Sequence, residues 1–367
     1  MNLRKLNNIQ KINWLEQLAI LGFLITSIIT PNLWLNSKDF PVIPLFESLP
    51  IPSAPFDYII ASVFFVLLVL QLARPRQYLG LFIVFFYVYL CFIDQNRLQP
   101  YYYQSMLTLL AINLFPKKHN SKSILYTVSL IFLATYFWSG AQKLNEIFYE
   151  QWMGALVKHF SFMPFELLEI FTYLVPYLEL LMGVFLLFNH TRRFAIFSII
   201  CMHSTIVIML FYLGYGFNVV PWNLQNIASV LVLFWTLDTR SGLDIFIYEF
   251  DYRKSILIVF TVLLPISNFF GYYDHLLSFS FFTSKLKYYY IIIEDKDLED
   301  KLPEHIKKFI RPHKGMSILY PNEWAGEVNK VLFYPQERAI LYLDKYLQSF
   351  SNKTDKTKST TLIVYNQ

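Results

Sequence analysis

Long apolar runs restrict what this chain can fold into more than any other feature of its sequence. A helix needs about 20 mostly apolar residues to cross a bilayer. Runs near that length recur at residues 13–34, 57–73, 77–93, 101–116, 124–144, 167–188, 194–213, 219–237 and 255–273. Composition agrees: 55% of the 367 residues are apolar and only 16% charged, where a soluble domain would be about a quarter charged. The expected fold is an all-α polytopic membrane bundle of about nine transmembrane helices over 1–273. A small α+β extracytoplasmic C-terminal domain (274–350) and a flexible tail (351–367) would follow.

The lysines and arginines set a direction. One set of connections carries Arg4, Lys5 and Lys11, then Arg74 and Arg76, then Lys117, Lys118 and Lys122, then Arg192 and Arg193, then Arg240, Arg253 and Lys254. The alternate set carries Lys38, then Arg97, then Lys143 and Lys158, then none. Basic loops stay cytoplasmic, so the N-terminus is expected inside a bacterial inner membrane and the C-terminal domain outside it. The first run has no small-residue cleavage site and reads as a signal anchor. The proline-rich stretch 35–56 reads as a surface loop, because proline removes backbone donors. Residues 145–165 read as an interfacial helix with Trp152 as an aromatic anchor, and 238–254 as a cytoplasmic loop with a short strand or helix. Beyond 274, "KYYYIIIED" reads as a strand, while "LPEHIKKFI" and "PQERAILYLDKYLQSF" read as amphipathic helices.

A net charge of +5 confined to short loops excludes a nucleic-acid-binding face; the partner it implies is the bilayer. Cys91 and Cys201 lie in apolar runs with no CxxC pair, so they read as buried small hydrophobes and suggest neither a thiol redox centre nor a zinc knuckle. No P-loop, GxSxG, HExxH or GxGxxG motif occurs.

Ionisable groups inside spans are costly, and they mark candidate sites. Lys143 shares a helical face with Tyr136, Ser139 and Gly140 by three- and four-residue spacing. It reads either as a lysine snorkelling to the interface or as a partly desolvated base. Glu179, three residues after Pro176, reads as a neutral carboxyl or as one partner of an ion pair or proton relay. His203 reads as an interhelical hydrogen-bonding residue or a ligand, with no second His or Cys at metal-ligand spacing. His159, Asp274 and His275 fall at the outer face, where they could line a mouth or simply be solvated.

At "YFWSGAQKLNEIFYEQW" the sequence resembles the vitamin K-dependent γ-carboxylase family, whose bacterial relatives are the HTTM proteins; the carriers are Ser139-Gly140, Lys143-Leu144, Asn145 and Trp152. The resemblance runs on through "YLELLMGVFLLF", "RRFAIFSIICMHSTIVIML" and "FFGYYDHLLSFSFF". Shorter DoxX-like proteins share a similar "SG..K" helix. The resemblance implies a catalytic lysine at Lys143 acting on a quinone or hydroquinone, with Glu179 and His203 relaying protons and Asp94, Tyr101, Tyr136, Trp152 and His159 lining its cavity. Two departures count against protein glutamyl carboxylation. Tyr101 stands where the family has a histidine, and only about 90 residues follow the last span, on boundaries drawn from helix length. The reading therefore stands as an enzyme on a lipid-soluble substrate or, in the alternative, a non-catalytic scaffold or assembly partner for a membrane or extracytoplasmic protein. A transporter is disfavoured by the lack of an inverted repeat.

Overall fold

The computed structural model describes residues 6–116, 120–280, 282–283, 286–352 and 359–365. Arg4, Lys5, Lys117 and Lys118 lie outside the described residues. The helices are α1 (Asn8–Ile29), α2 (Phe56–Ala73), α3 (Gln77–Ile93), α4 (Pro100–Asn113), α5 (Ser121–Lys143), α6 (Glu146–His159), α7 (Phe165–Leu187), α8 (Asn189–Leu213) and α9 (Val220–Phe234). There follow α10 (Asp244–Ile247), α11 (Tyr252–Ile258), α12 (Leu264–Asn268), α13 (Lys296–Lys301), α14 (Glu304–Lys307), α15 (Pro321–Val328) and α16 (Glu337–Gln348). Four strands, β1 (Tyr288–Ile293), β2 (Ile310–His313), β3 (Met316–Leu319) and β4 (Thr360–Tyr365), form one antiparallel sheet in the order β2-β3-β1-β4.

Among the described residues six helical segments, not nine, are long and apolar enough to cross a membrane: α1, α2, α5, α7, α8 and Phe217–Phe234. The other three expected spans are not helices of that length. Run 77–93 is the 17-residue α3, and run 101–116 is the 14-residue α4. Run 255–273 is broken into α11, a π-helical turn at Val259–Leu263 and α12. The break has a local cause in Pro265, which cannot donate to the carbonyl four residues back, that of Thr261. Trp138 Nε1 donates to that Thr261 oxygen at 2.7 Å instead.

The chain divides into two compact units. The first holds Met1–Thr26, Phe65–Phe86 and Pro100–Lys285. α5 is its central helix, buried along nearly all its length, whereas α7 and α8 leave Ile170, Leu174, Phe194, Phe197, Ile208 and Phe211 exposed. That apolar outside suits a lipid surround. α5 and α7 approach closely because both carry glycine at the contact. A Cβ on Gly140 would sit 2.5 Å from the Pro176 oxygen, and one on Gly183 would sit 2.7 Å from the Phe137 nitrogen. A polar seam joins α4 to α9: Trp222 Nε1 donates to Gln104 Oε1 (2.5 Å), and Gln104 Nε2 donates to Asn226 Oδ1 (2.7 Å).

The second unit holds Ser27–Phe64, Tyr87–Gln99 and Leu286–Gln367. β1 forms where the aromatic and β-branched run predicts a strand, and β2 and β3 close a hairpin through Lys314-Gly315. Both turn residues have positive φ (49° and 80°), the geometry a two-residue hairpin needs. "LPEHIKKFI" is helical only over α14 before β2 begins, whereas α16 forms as expected, burying Ala339, Ile340, Leu343 and Leu347. The expected flexible tail is corrected in part, because Thr360–Tyr365 is strand β4 paired along β1; its run of β-branched residues fits a pleated surface better than a solvated coil. The proline-rich stretch has no helix, but it is not wholly on the surface. Phe40, Val42 and Ile43 are buried, and Trp324 Nε1 donates to the Asp39 carbonyl at 2.8 Å.

Candidate functional site

The polar groups of the first unit gather around α5. Lys143 is its last residue, and a side chain there turns back toward the helix N-terminus. It therefore reaches inward rather than out: Nζ lies 2.8 Å from Ser139 Oγ and 2.5 Å from Glu179 Oε2, with only 6% of the side chain exposed. Ser139 Oγ donates to the same Glu179 oxygen at 2.7 Å. The three residues form a closed triangle across the α5–α7 contact that Gly140 and Gly183 make possible. Snorkelling is thereby corrected. Glu179 is the partner, and α7, entering at Phe165, places it level with Ser139.

One turn down α5, Tyr136 OH lies 2.9 Å from His203 Nε2 on α8. On the other side of that ring, His203 Nδ1 lies 2.6 Å from Asn223 Oδ1 on α9, while Asn223 Nδ2 is committed to the Val219 carbonyl (2.8 Å). That commitment fixes the direction of the chain. Asn223 presents an acceptor, so Nδ1 carries the proton and Nε2 accepts from the tyrosine. Both Tyr136 and His203 are buried.

The other expected residues go elsewhere. Asp94 belongs to the second unit, where Lys38 Nζ sits 2.7 Å from its Oδ2 and the Asn96 amides bond its Oδ1. Burial pushes the Lys38 amine below its usual value, against the pull of Asp94, and nearby Arg97 pushes the same way as burial. Tyr101 accepts from Asn218 Nδ2 at 3.2 Å, and Trp152 stacks on Phe148 within α6. His159 ends α6 half-buried. None of these four is bonded to Lys143 or Glu179 among the described residues, and no three His, Cys, Asp or Glu side chains there cluster as metal ligands would.

Two residues of the "SGAQKLN" stretch do work that spacing did not reveal. Gln142 Nε2 donates to the Ser278 carbonyl (3.1 Å), and Asn145 Nδ2 donates to the carbonyls of Gln142 (2.9 Å) and Thr283 (3.1 Å). Asn145 Oδ1 also caps α6 at Phe148 N, 2.9 Å away. Their helix-end position, with an asparagine one residue before α6, is the signal that could have found them.

At its other end α5 meets the basic connections. Tyr126 OH donates to the Asp238 carbonyl (2.5 Å), Asn120 Nδ2 to Glu249 (2.7 Å) and Arg253 Nε to the Leu114 carbonyl (3.1 Å). Arg192 is buried with no carboxylate bonded to it among the described residues, and its guanidinium is satisfied by the carbonyls of Leu186, Leu187 and Leu237 and by Asn189 and Thr239. So the end of α4 and the starts of α5, α8 and α11 lie together at one end, with Lys143 at the other.

Apolar helices of this length, an apolar exterior and a polar interior define a multi-pass membrane protein. Residues 121–234, from α5 through α9, match the family model described as methylamine utilisation protein MauE. The match spans under a third of the chain. No curated protein and no solved structure matches. The carboxylase/HTTM resemblance, with its DoxX-like extension, is thereby corrected: the family model that matches the lysine-bearing helix is MauE. A glycine beside a lysine facing an acidic span records how two helices pack, and different families can share that. The expectation of a quinone rested on the resemblance and goes with it.

Proposed function

We propose that this chain is a non-catalytic membrane scaffold or assembly partner whose intramembrane polar groups hold its helices together. The observation that carries this reading is the closed Lys143–Ser139–Glu179 triangle. A lysine acting as a base must offer a free lone pair to its substrate. Here the amine is spent on two partners 2.8 and 2.5 Å away, and the carboxylate oxygen it meets is also spent on Ser139. His203 is likewise held from both sides. Methylamine utilisation, in the matched description, names the class of process in which such a partner would serve.

The same reading includes a topology. The N-terminus is cytoplasmic, α3, α4 and the α11–α12 segment also cross, and the C-terminal unit lies on the far side of an inner membrane. Support comes from the meeting of the basic connections at one end of α5, since basic loops stay cytoplasmic.

Competitive labelling of the intact protein with a membrane-permeant amine reagent, read by mass spectrometry between pH 7 and 9, tests the reading. Lys143 should label at least tenfold more slowly than an exposed lysine such as Lys158. Labelling of Lys143 faster than Lys158 at pH 7 would mark a free amine and return the chain to the enzymes.

A further inference from the structure

The two edges of the sheet are built differently. β2, at one edge, reads Ile310-Arg311-Pro312-His313. Pro312 has no N–H to offer, and Arg311 is exposed and paired with Glu323, which are the usual guards of an edge. β4, at the other, reads Thr360-Thr361-Leu362-Ile363-Val364-Tyr365, with no charge and no proline.

Which backbone groups of β4 face outward follows from one hydrogen bond. Glu294 N donates to Ser359 O at 3.0 Å, and the register sets those two residues opposite each other, next to the Ile293–Thr360 pair. They are therefore a hydrogen-bonded pair, and bonded pairs alternate along an antiparallel ladder. Thr361, Ile363 and Tyr365 spend their backbone groups on β1, while Thr360, Leu362 and Val364 point theirs away. The Thr360 end is covered: the residue is buried and its hydroxyl accepts from Gln348 Nε2 at 2.8 Å. Leu362 and Val364 are left with both N–H and both C=O groups at the edge, and among the described residues nothing bonds to them. Val364 is 51% exposed.

We infer that β4 is a self-pairing edge: two copies of this chain join β4 to β4, antiparallel and centred on Ile363, into one continuous sheet. Charge and symmetry select a second copy as the occupant. Centring on Ile363 sets Leu362 opposite Val364 of the partner subunit and Val364 opposite the partner's Leu362, so the four outward groups meet four complementary ones. Like charges opposed across strands destabilise, and this strand has none to oppose. The pairing is isologous, so it closes at two. Chains held in one bilayer also meet at a raised effective concentration.

Ile363 then faces Ile363 of the partner subunit in a non-hydrogen-bonded pair. Their Cα atoms would be about 4.5 Å apart, within disulfide reach. In the full-length protein in nanodiscs, Ile363→Cys in a Cys201→Ser background should give a cross-linked dimer under mild oxidation, with Cys91 buried out of reach. Arg311→Cys on the guarded edge should give no cross-linked dimer. Light scattering of the unoxidised protein should give the dimer mass. Leu362→Pro, which removes an N–H that β1 does not use, should halve that mass, and Leu362→Lys serves in its place if the proline variant unfolds. A monomeric wild type, a dimer indifferent to both substitutions, or equal cross-linking at both edges would overturn the inference.

Discussion

Lys143 and Glu179 are costly to bury separately and cheap to bury together. Lys143→Met alone strands a carboxyl between α5 and α7, with an expected loss of about 3–5 kcal/mol. The double variant Lys143→Met/Glu179→Leu replaces the pair by apolar bulk and should fall within about 1 kcal/mol of the parent, because such exchanges are often neutral. Unfolding in mixed detergent reads both; a double variant as weak as the single would show that something other than mutual compensation holds the triangle. The cost that makes this pair structural is also what made it legible, since an ionisable residue in an apolar run stands out. That the two residues meet was less legible, because counting along the helix places Lys143 by its Cα, and the side chain reaches back a full turn to Ser139. In the second unit, burial raises the Asp344 carboxyl above its usual value, and its Oδ1 is buried without a partner among the described residues. A carboxyl whose folded pKa is raised binds its proton more tightly folded than unfolded. Its burial penalty is therefore in full force above the folded pKa and fades as the pH falls through it. Asp344→Asn should raise the melting temperature at pH 7, with the gain shrinking under acid; a gain independent of pH would assign it to another cause.

The helices depend on contacts that their own composition only half declares. Gly140 and Gly183 let α5 and α7 touch backbone to backbone, so Gly140→Leu should cost more than the roughly 1–3 kcal/mol typical of overpacking and pull Lys143 off Glu179. A cysteine pair across α5 and α7 that cross-links in the parent should then fail to do so. Trp138→Phe keeps the bulk and leaves the Thr261 carbonyl buried and unbonded, an expected loss of about 1–3 kcal/mol in the same melts. A loss below 0.5 kcal/mol would mean the π-turn finds another donor. The apolar runs were readable because crossing a bilayer sets a length, and β1 because its residues favour a pleat. The break at Pro265 is masked by the apolar residues around it, which continue the run on both sides of the proline. The α4–α9 seam was unreadable for a different reason: Gln104 and Trp222 lie 118 residues apart, and neither is remarkable in its own run.

For the whole molecule, the basic residues at one end of α5 do two jobs that the sequence merges into one. Arg192 is buried and spends its guanidinium on five acceptors, and Arg253 reaches back to the Leu114 carbonyl. These two tie loops to helices. Arg74, Arg76, Arg193 and Arg240 are exposed at the helix ends, and exposed arginines in short loops bias which side stays cytoplasmic. Counting charges along the chain treats all six alike, which is why it proposes a direction for the molecule and does not reveal its loop clamps. The two roles separate by mutation. Replacing Arg74, Arg76, Arg193 and Arg240 together by alanine should leave the melting temperature within a few degrees of the parent. It should also scramble orientation, so that an impermeant thiol reagent added to intact cells reaches an engineered cysteine at the exposed His190 in a measurable fraction of molecules. Arg192→Ala should do the reverse, lowering stability by about 2–5 kcal/mol through the carbonyls it strands while that cysteine stays shielded. If the quadruple variant keeps a single orientation and Arg192→Ala loses it, the direction of insertion is set by the folded clamp and not by the exposed charge.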